Sequence, residues 1–177
     1  MPIRHYSYVG PADIKAMVAG SPAGTALTGL DALARWHAAQ PPDERAEPFT
    51  YVVGLDGVLR VAPRRSEHVA CAGGASVLAA GEIAFECGDG QWSVTSVSNQ
   101  STGYCPDVTC WPAVAAALDQ LGVAHPAAFT TEVQFRRCLN CRELTIVRDG
   151  DFVCVFCDAD LPAGWNIGAP ISPDPLV

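Results

Sequence analysis

The sequence predicts an α+β fold: a mainly antiparallel sheet with a few flanking helices over residues 1–135, a small ribbon over 136–160, and a tail over 161–177. Three observations predict it. Short early segments and the stretch after Pro112 carry apolar residues at helical spacing, each bounded by Gly or Pro. Between them, from Phe49 to Ser98, β-branched and aromatic residues cluster around Asp-Gly turns. Near the C-terminal end, Cys138-Leu-Asn-Cys141 and Cys154-Val-Phe-Cys157 place two CxxC pairs twelve residues apart.

Taken in order, residues 3–9 alternate loosely and suit an edge strand. Gly10-Pro11 then opens a short helix over Ala12–Ala19, with Ile14, Met17 and Val18 on one face. Thr28, with Asp31 three residues on, fits an approximate capping box for a second helix through Leu33 and Trp36-His37. Pro41-Pro42 stops that helix, and 41–48 is a polar connector. Phe49–Val53 and Val58–Val61 flank Leu55-Asp56-Gly57, a hairpin signal. Ser76–Ala80 and Glu82–Phe85 read as an apolar segment broken at Gly81. Gly88-Asp-Gly90 turns it into Trp92–Ser98, whose missed alternation between Val94 and Val97 marks a bulge. Pro112 suits the first turn of a last helix, with Val114, Leu118 and Leu121 on its buried face and Gly122 at its end. Phe129–Phe135 is a strand leading into the ribbon. In the tail, Trp165 is the one large anchor and is expected to pack the segment back on the domain.

The cysteine spacing has a chemical reason. Two residues between cysteines make a tight knuckle whose thiolates converge on one ion about 2.3 Å away. Glu143–Val147 and Phe152–Cys154 are predicted strands joined by a turn at Arg148-Asp-Gly-Asp151, which folds the second knuckle over the first. Cys138, Cys141, Cys154 and Cys157 are therefore predicted ligands of one structural Zn²⁺. Two disulfides, or four unrelated buried cysteines, are the alternatives; the paired spacing and the Asp-Gly turn agree on the metal.

A net charge of −8 and a pI near 4.8 argue against a nucleic-acid partner. No apolar run is long enough to span a bilayer and residues 1–8 lack a signal-peptide core, so no membrane is expected. CxxC pairs without a secretion signal imply a reducing compartment, and the expected location is the cytoplasm. Arginines against the single Lys15, with abundant Ala, Gly and Pro, point to a GC-rich bacterial genome.

Outside the ribbon, the polar loop Asn99–Asp107 joins a strand to a helix start. Asn99, Gln100, Ser101, Thr102 and Tyr104 are its candidate ligand-binding residues, against the alternative of a self-satisfied turn. His68, Glu82, Tyr104 and Cys105 are candidate catalytic residues. Glu82 either points to solvent by strand alternation or sits in a pocket, where with His68 and Tyr104 it would suit acid–base work on a nucleotide-like or protein substrate. Cys105 activated by His68 or His125 would make a nucleophile. His68, Cys71, Cys105 and Cys110 would make a second metal site of looser spacing; the roles of these three cysteines and of Cys87 are not readable. A zinc deaminase is excluded: it needs His-x-Glu and Pro-Cys-x-x-Cys, and neither is present. The favoured reading is a binding or interaction protein using the loop, with the enzyme as its alternative.

Two resemblances bear on these residues. Ser66–Gly74, Val77–Glu82 and Ser98–Pro106 resemble a motif set of plant IQ-motif calmodulin-binding proteins and some bacterial polymorphic-toxin regions. Gly103 stands where those carry His and Val69 where they carry Ser, so roles resting on those side chains do not transfer. No IQ segment is present, so calmodulin binding is not carried over. Asn99–Pro106 together with Leu161-Pro-Ala-Gly-Trp165-Asn166 is similar to small bacterial proteins that pair this loop with a C-terminal ribbon, a similarity that implies no particular activity.

Overall fold

The computed structural model describes residues 3–168. The chain packs as two compact units, one through Val133 and one from Gln134 onward. The first contains α1 (Ala12–Met17), β1 (Thr25–Ala26), α2 (Leu30–Ala39), α3 (Pro42–Arg45), β2 (Phe49–Gly54), β3 (Leu59–Ala62), α4 (His68–Cys71), β4 (Val77–Gly88), β5 (Gln91–Val97) and α5 (Trp111–Leu121). Its strands form one antiparallel sheet in the order β1-β3-β2-β4-β5. The second contains β6 (Phe135–Arg137) paired antiparallel with β7 (Leu144–Ile146). The α+β class is therefore as the sequence predicts.

The β2–β3 hairpin closes on the predicted Asp-Gly. Gly57 has φ +77° and donates to the Gly54 carbonyl at 2.9 Å, a conformation that suits glycine. The Asp56 carboxylate takes the Val58 amide and two bonds from Arg60, which hold its carboxyl down to about 2. On the other hairpin, Ala84 pairs with Ser96 but Phe85 with Val94, so Thr95 is the extra residue of the expected bulge.

The predicted break at Gly81 does not occur: β4 runs through it, pairing Gly81 with Tyr51. Gly81 is small for a different reason. A Cβ there would overlap the Ser98 carbonyl, which also accepts the buried Tyr51 hydroxyl at 2.8 Å. Because the obstructing atom is backbone, Gly81→Ala is expected to cost about 2 kcal/mol. Denaturant unfolding followed by tryptophan fluorescence reads this as a lower midpoint with an unchanged slope.

Other expectations need correction. Residues 3–9 form no strand, only a bridge in which Tyr6 and Val77 exchange backbone bonds of 2.7 and 2.9 Å. The first helix ends at Met17 and buries none of its residues; Met17 is 80% exposed. It is one short helix with too few apolar residues to form a buried stripe. Thr28 does not cap α2; the cap is Gly29 and makes no side-chain bond. The Pro41–Pro48 connector folds in part into α3, with Pro42 in its first turn. Phe129–Phe135 is not one strand. Thr130 grips the end of β5 with backbone and hydroxyl bonds to Val97, Thr131 bridges Ser98, and regular pairing starts only at Phe135. The last helix is as read: Val114, Leu118 and Leu121 are buried, and Gly122 ends it at φ +82°.

Within the second unit, the strand over 144–146 pairs with β6 across the first knuckle, not with Phe152–Cys154. Phe152–Cys154 instead contributes a bridge from Val153 to Asp160. The Arg148–Asp151 turn forms as expected, with Asp149 and Gly150 both left-handed. Leu161 packs with Cys138 and Cys154 as the small apolar centre of this unit. The Asn166 side chain accepts from the Arg137 amide and donates to the Arg137 carbonyl, both at 2.8 Å. The described part of the tail thus packs on the ribbon itself, and residues 169–177 of the expected tail lie outside the described residues.

Candidate metal centre and polar sites

The two knuckles are built alike. Cys138 N donates to Glu143 O and Arg142 N to Cys138 O; Cys154 N donates to Ala159 O and Asp158 N to Cys154 O. Arg142 and Asp158, each one residue past its knuckle, have φ of 67° and 59°. These repeated bonds turn all four sulfurs inward, and every Sγ lies within 4.8 Å of the others. Cys138–Cys157 and Cys141–Cys154 are 3.6 and 3.7 Å apart. Those separations are far longer than a disulfide's ~2.0 Å, and all four cysteines are free. A tetrahedral ion with bonds of ~2.3 Å has edges of about 3.8 Å, so the set has the size of a four-thiolate metal site.

Asn140 donates to Cys157 Sγ at 3.5 Å, and this bond holds the Cys157 thiol down to about 6. Four thiols this close cannot all ionise without a cation among them. Arg136 is a contributor that counting charges in the sequence missed. It is 6% exposed, donates to Pro162 O, Phe135 O and Ala163 O at 2.7–2.9 Å, and stacks over Phe152. Its planar fork holds the tail in place beside the ribbon strands. No signal short of the structure separates it from its neighbour Arg137.

No protein-family model, curated protein or solved structure matches this chain. The remaining candidates therefore stand on their own geometry.

Most of the Asn99–Asp107 loop is interior. Asn99 is fully buried; its Oδ1 accepts the Val133 amide at 2.7 Å, and its Nδ2 donates to Val133 O at 2.7 Å and Pro106 O at 3.0 Å. Ser101 is buried, with its hydroxyl accepting the Tyr104 amide. The buried Tyr104 hydroxyl donates to Ala75 O at 2.7 Å, and its ring meets Tyr8 edge-on at 5.9 Å. Burial pushes the Tyr104 phenol well above its ordinary range. Gly103 lies against the Tyr8 ring, where a Cβ would come within 2.9 Å. Gln100 and Thr102 are the exposed members.

Cys105 is buried at φ +45°, its thiol donating to Thr102 O. Burial pushes the Cys71 and Cys110 thiols up to about 12, so neither is a ready thiolate. Among the described residues the ribbon cysteines are the one group placed to share a metal ion, and the looser His68–Cys71–Cys105–Cys110 set does not assemble. His125 bonds Asp119 at 3.1 Å and Pro126 O, and its ring meets Trp111 edge-on.

His68 opens α4 and places Nε2 2.9 Å from Gly81 O, so this nitrogen carries the proton. Burial lowers its pKa, opposed by that bond and by the charges of Glu82 and Glu67. Below 6.5 the unfolded chain binds a proton that the folded chain refuses, so stability is full above 6.5 and falls as the pH drops. The urea midpoint is expected to fall between pH 7.5 and 5.5. His68→Gln, which keeps a donor for Gly81 O, is expected to shrink that fall.

Glu82 obeys strand alternation, half-buried on the face opposite Ile83. It also lines a pocket of about 110 Å³ with Ser96, Ser98, Gln100 and Thr131. Neither His68 nor Tyr104 lines that pocket, and the three catalytic candidates share no hydrogen bond.

Proposed function

We propose that the protein is a zinc-stabilised binding protein. The ribbon cysteines hold one structural Zn²⁺, and a polar groove at the start of the Asn99–Asp107 loop receives a cationic group. Zinc is the choice because four soft thiolates at tetrahedral spacing suit it, and a closed set of four leaves no position for water or substrate. The ion's role is therefore to hold the ribbon.

The observation that carries the recognition reading is the Glu82 carboxylate. It faces the groove and makes no hydrogen bond or ion pair among the described residues. Around it, Ser98 Oγ is occupied by the Glu82 and Gln100 amides, which leaves Ser96, Thr131 and the Gln100 side chain to face a ligand. A volume near 110 Å³ is well below the ~300 Å³ at which small-molecule pockets begin. It suits one Lys or Arg side chain better than a whole metabolite. Gln100 is the loop residue this reading uses; Asn99, Ser101 and Tyr104 act by holding the loop in shape.

An NMR titration of the full chain with argininamide and with N-acetyl-lysine methylamide tests the groove. Saturable amide shifts at Glu82, Ser96, Gln100 and Thr131, weakened at least tenfold by Glu82→Gln, are the expected result. Linear, unsaturable shifts, or shifts indifferent to Glu82→Gln, would refute it.

A further inference from the structure

A second recess lies on the first unit, between the β2–β3 turn, the turn that follows α4 and the start of β4. Its volume is about 310 Å³, and it shares no lining residue with the Glu82 groove. Val52, Leu55, Ala72, Ala75 and Val77 give it apolar walls, and Asp56 and Arg60 supply its charge. The walls are fixed by backbone bonds. Gly73 and Gly74, at φ of +61° and +78°, turn the chain after α4, and Ala75 N donates to Ala72 O across that turn at 3.2 Å. The Ala75 carbonyl accepts the buried Tyr104 hydroxyl, and Val77 exchanges backbone bonds with Tyr6. We infer that this recess binds a single free amino acid with an apolar side chain, its carboxylate on Arg60 and its ammonium on Asp56.

The hydrogen-bonding capacity that the ion pair leaves open selects this ligand. Arg60 uses Nη1 on Asp56 Oδ1 at 2.9 Å and Val58 O at 3.4 Å, and one Nη2 hydrogen on Asp56 Oδ2 at 2.7 Å. Its Nε–H and second Nη2–H have no acceptor among the described residues. Those two N–H groups are parallel and form the side edge of the guanidinium, which fits a carboxylate with two bonds. Only 26% of the Arg60 side chain is exposed, so water competes less for that edge than on an open surface. On half-exposed Asp56, Oδ1 accepts from Val58 and Arg60 and Oδ2 from Arg60, which leaves Oδ2 room for an ammonium. A Cβ on Gly54 would come within 2.5 Å of Arg60 Nη1 and 2.6 Å of Asp56 Oδ1, so the pair lies in place against bare backbone. The pair carries no net charge, and a zwitterion adds none. A simple carboxylate would set a second anion beside Asp56, and a simple amine a second cation beside Arg60. A volume near 310 Å³ stands at the bottom of the range for small-molecule pockets, which suits one amino acid better than a larger metabolite.

An NMR titration of the full chain tests the recess, with L-leucine as ligand and 4-methylpentanoate, L-leucinamide and glycine as its truncations. Leucine should give saturable amide shifts centred on Leu55, Asp56, Arg60, Ala72 and Ala75. Each truncation should bind at least tenfold more weakly: the first lacks the ammonium, the second the carboxylate and the third the apolar side chain. That comparison is made on the wild-type chain and needs no variant. Arg60→Lys keeps the charge and loses the side edge. Ala75→Leu fills an exposed wall position and leaves the Tyr104 bond, which goes to its backbone. Both should weaken leucine at least tenfold with spectra otherwise like wild type, and Glu82→Gln should leave leucine binding unchanged. Three results would overturn the inference: linear, unsaturable shifts with leucine, a truncation that binds as well as leucine, or leucine binding indifferent to either recess variant.

Discussion

Cys141→Ser is expected to unfold the second unit while leaving the first intact. Around the thiols the unit packs only Leu161, with half-buried Val147, Phe152 and Ala159, and its other buried apolar side chains among the described residues are Phe135 and Ile167. A core that small does not hold a chain of this length together without a metal or disulfide. Structural zinc in comparable sites contributes about 10–16 kcal/mol, coupled to folding. Serine gives a weak, hard ligand, and the three remaining sulfurs cannot close the tetrahedron. Hydrogen exchange should show protection lost throughout 134–168 and kept in β2, β4 and α5. Chelation of the wild-type protein should give the same map. A Cys141→Ser chain with native protection across β6 and β7 would contradict this account of the ribbon.

Asn99→Ala is the second large expected effect, about 4 kcal/mol. The substitution removes three hydrogen bonds at a fully buried position and strands Val133 N, Val133 O and Pro106 O. Stranded buried groups cost about 1–3 kcal/mol each. Asn99→Asp separates the geometry from the chemistry. Its carboxylate still accepts from Val133 N, but two carbonyls then face an anion where they received an amide. Burial beside those carbonyls raises the carboxyl's folded pKa, so the folded chain holds the extra proton and the variant loses stability as the pH rises. Asn99→Asp should therefore be closer to wild type at pH 4.5 than at pH 7.5 in urea unfolding. Equal midpoints for Asn99→Ala and wild type would show that the loop does not depend on this amide.

How far the sequence discloses such roles depends on whether the cause is local. The cysteine spacing, the Asp56-Gly57 and Asp149-Gly150 turns and the Pro112–Gly122 helix rest on contacts a few residues apart, and these were legible. The missed beat before Val97 was legible for the same reason, since a bulge is a local defect in alternation. The need for Gly81 is not legible locally because its constraint comes from Ser98, a carbonyl on another stretch of chain. Asn99 and Tyr104 looked like ligand contacts because buried and exposed polar residues are spelled alike. Their partners, Val133 and Ala75, are 34 and 29 residues away. The burial of Arg136 is not legible in the sequence, because its three acceptors are backbone carbonyls, which leave no trace there. Glu82 meets both sequence alternatives, solvent and pocket, by facing outward into a groove.

The central claim, a closed tetrathiolate zinc site that holds the ribbon, is tested most directly by elemental analysis of the purified chain together with the absorption spectrum of its cobalt-substituted form. The account predicts one zinc per chain and cobalt bands of a tetrahedral four-sulfur site. Iron in place of zinc, fewer than four sulfur ligands, or a metal-free chain with its four ribbon cysteines oxidised in pairs would contradict it.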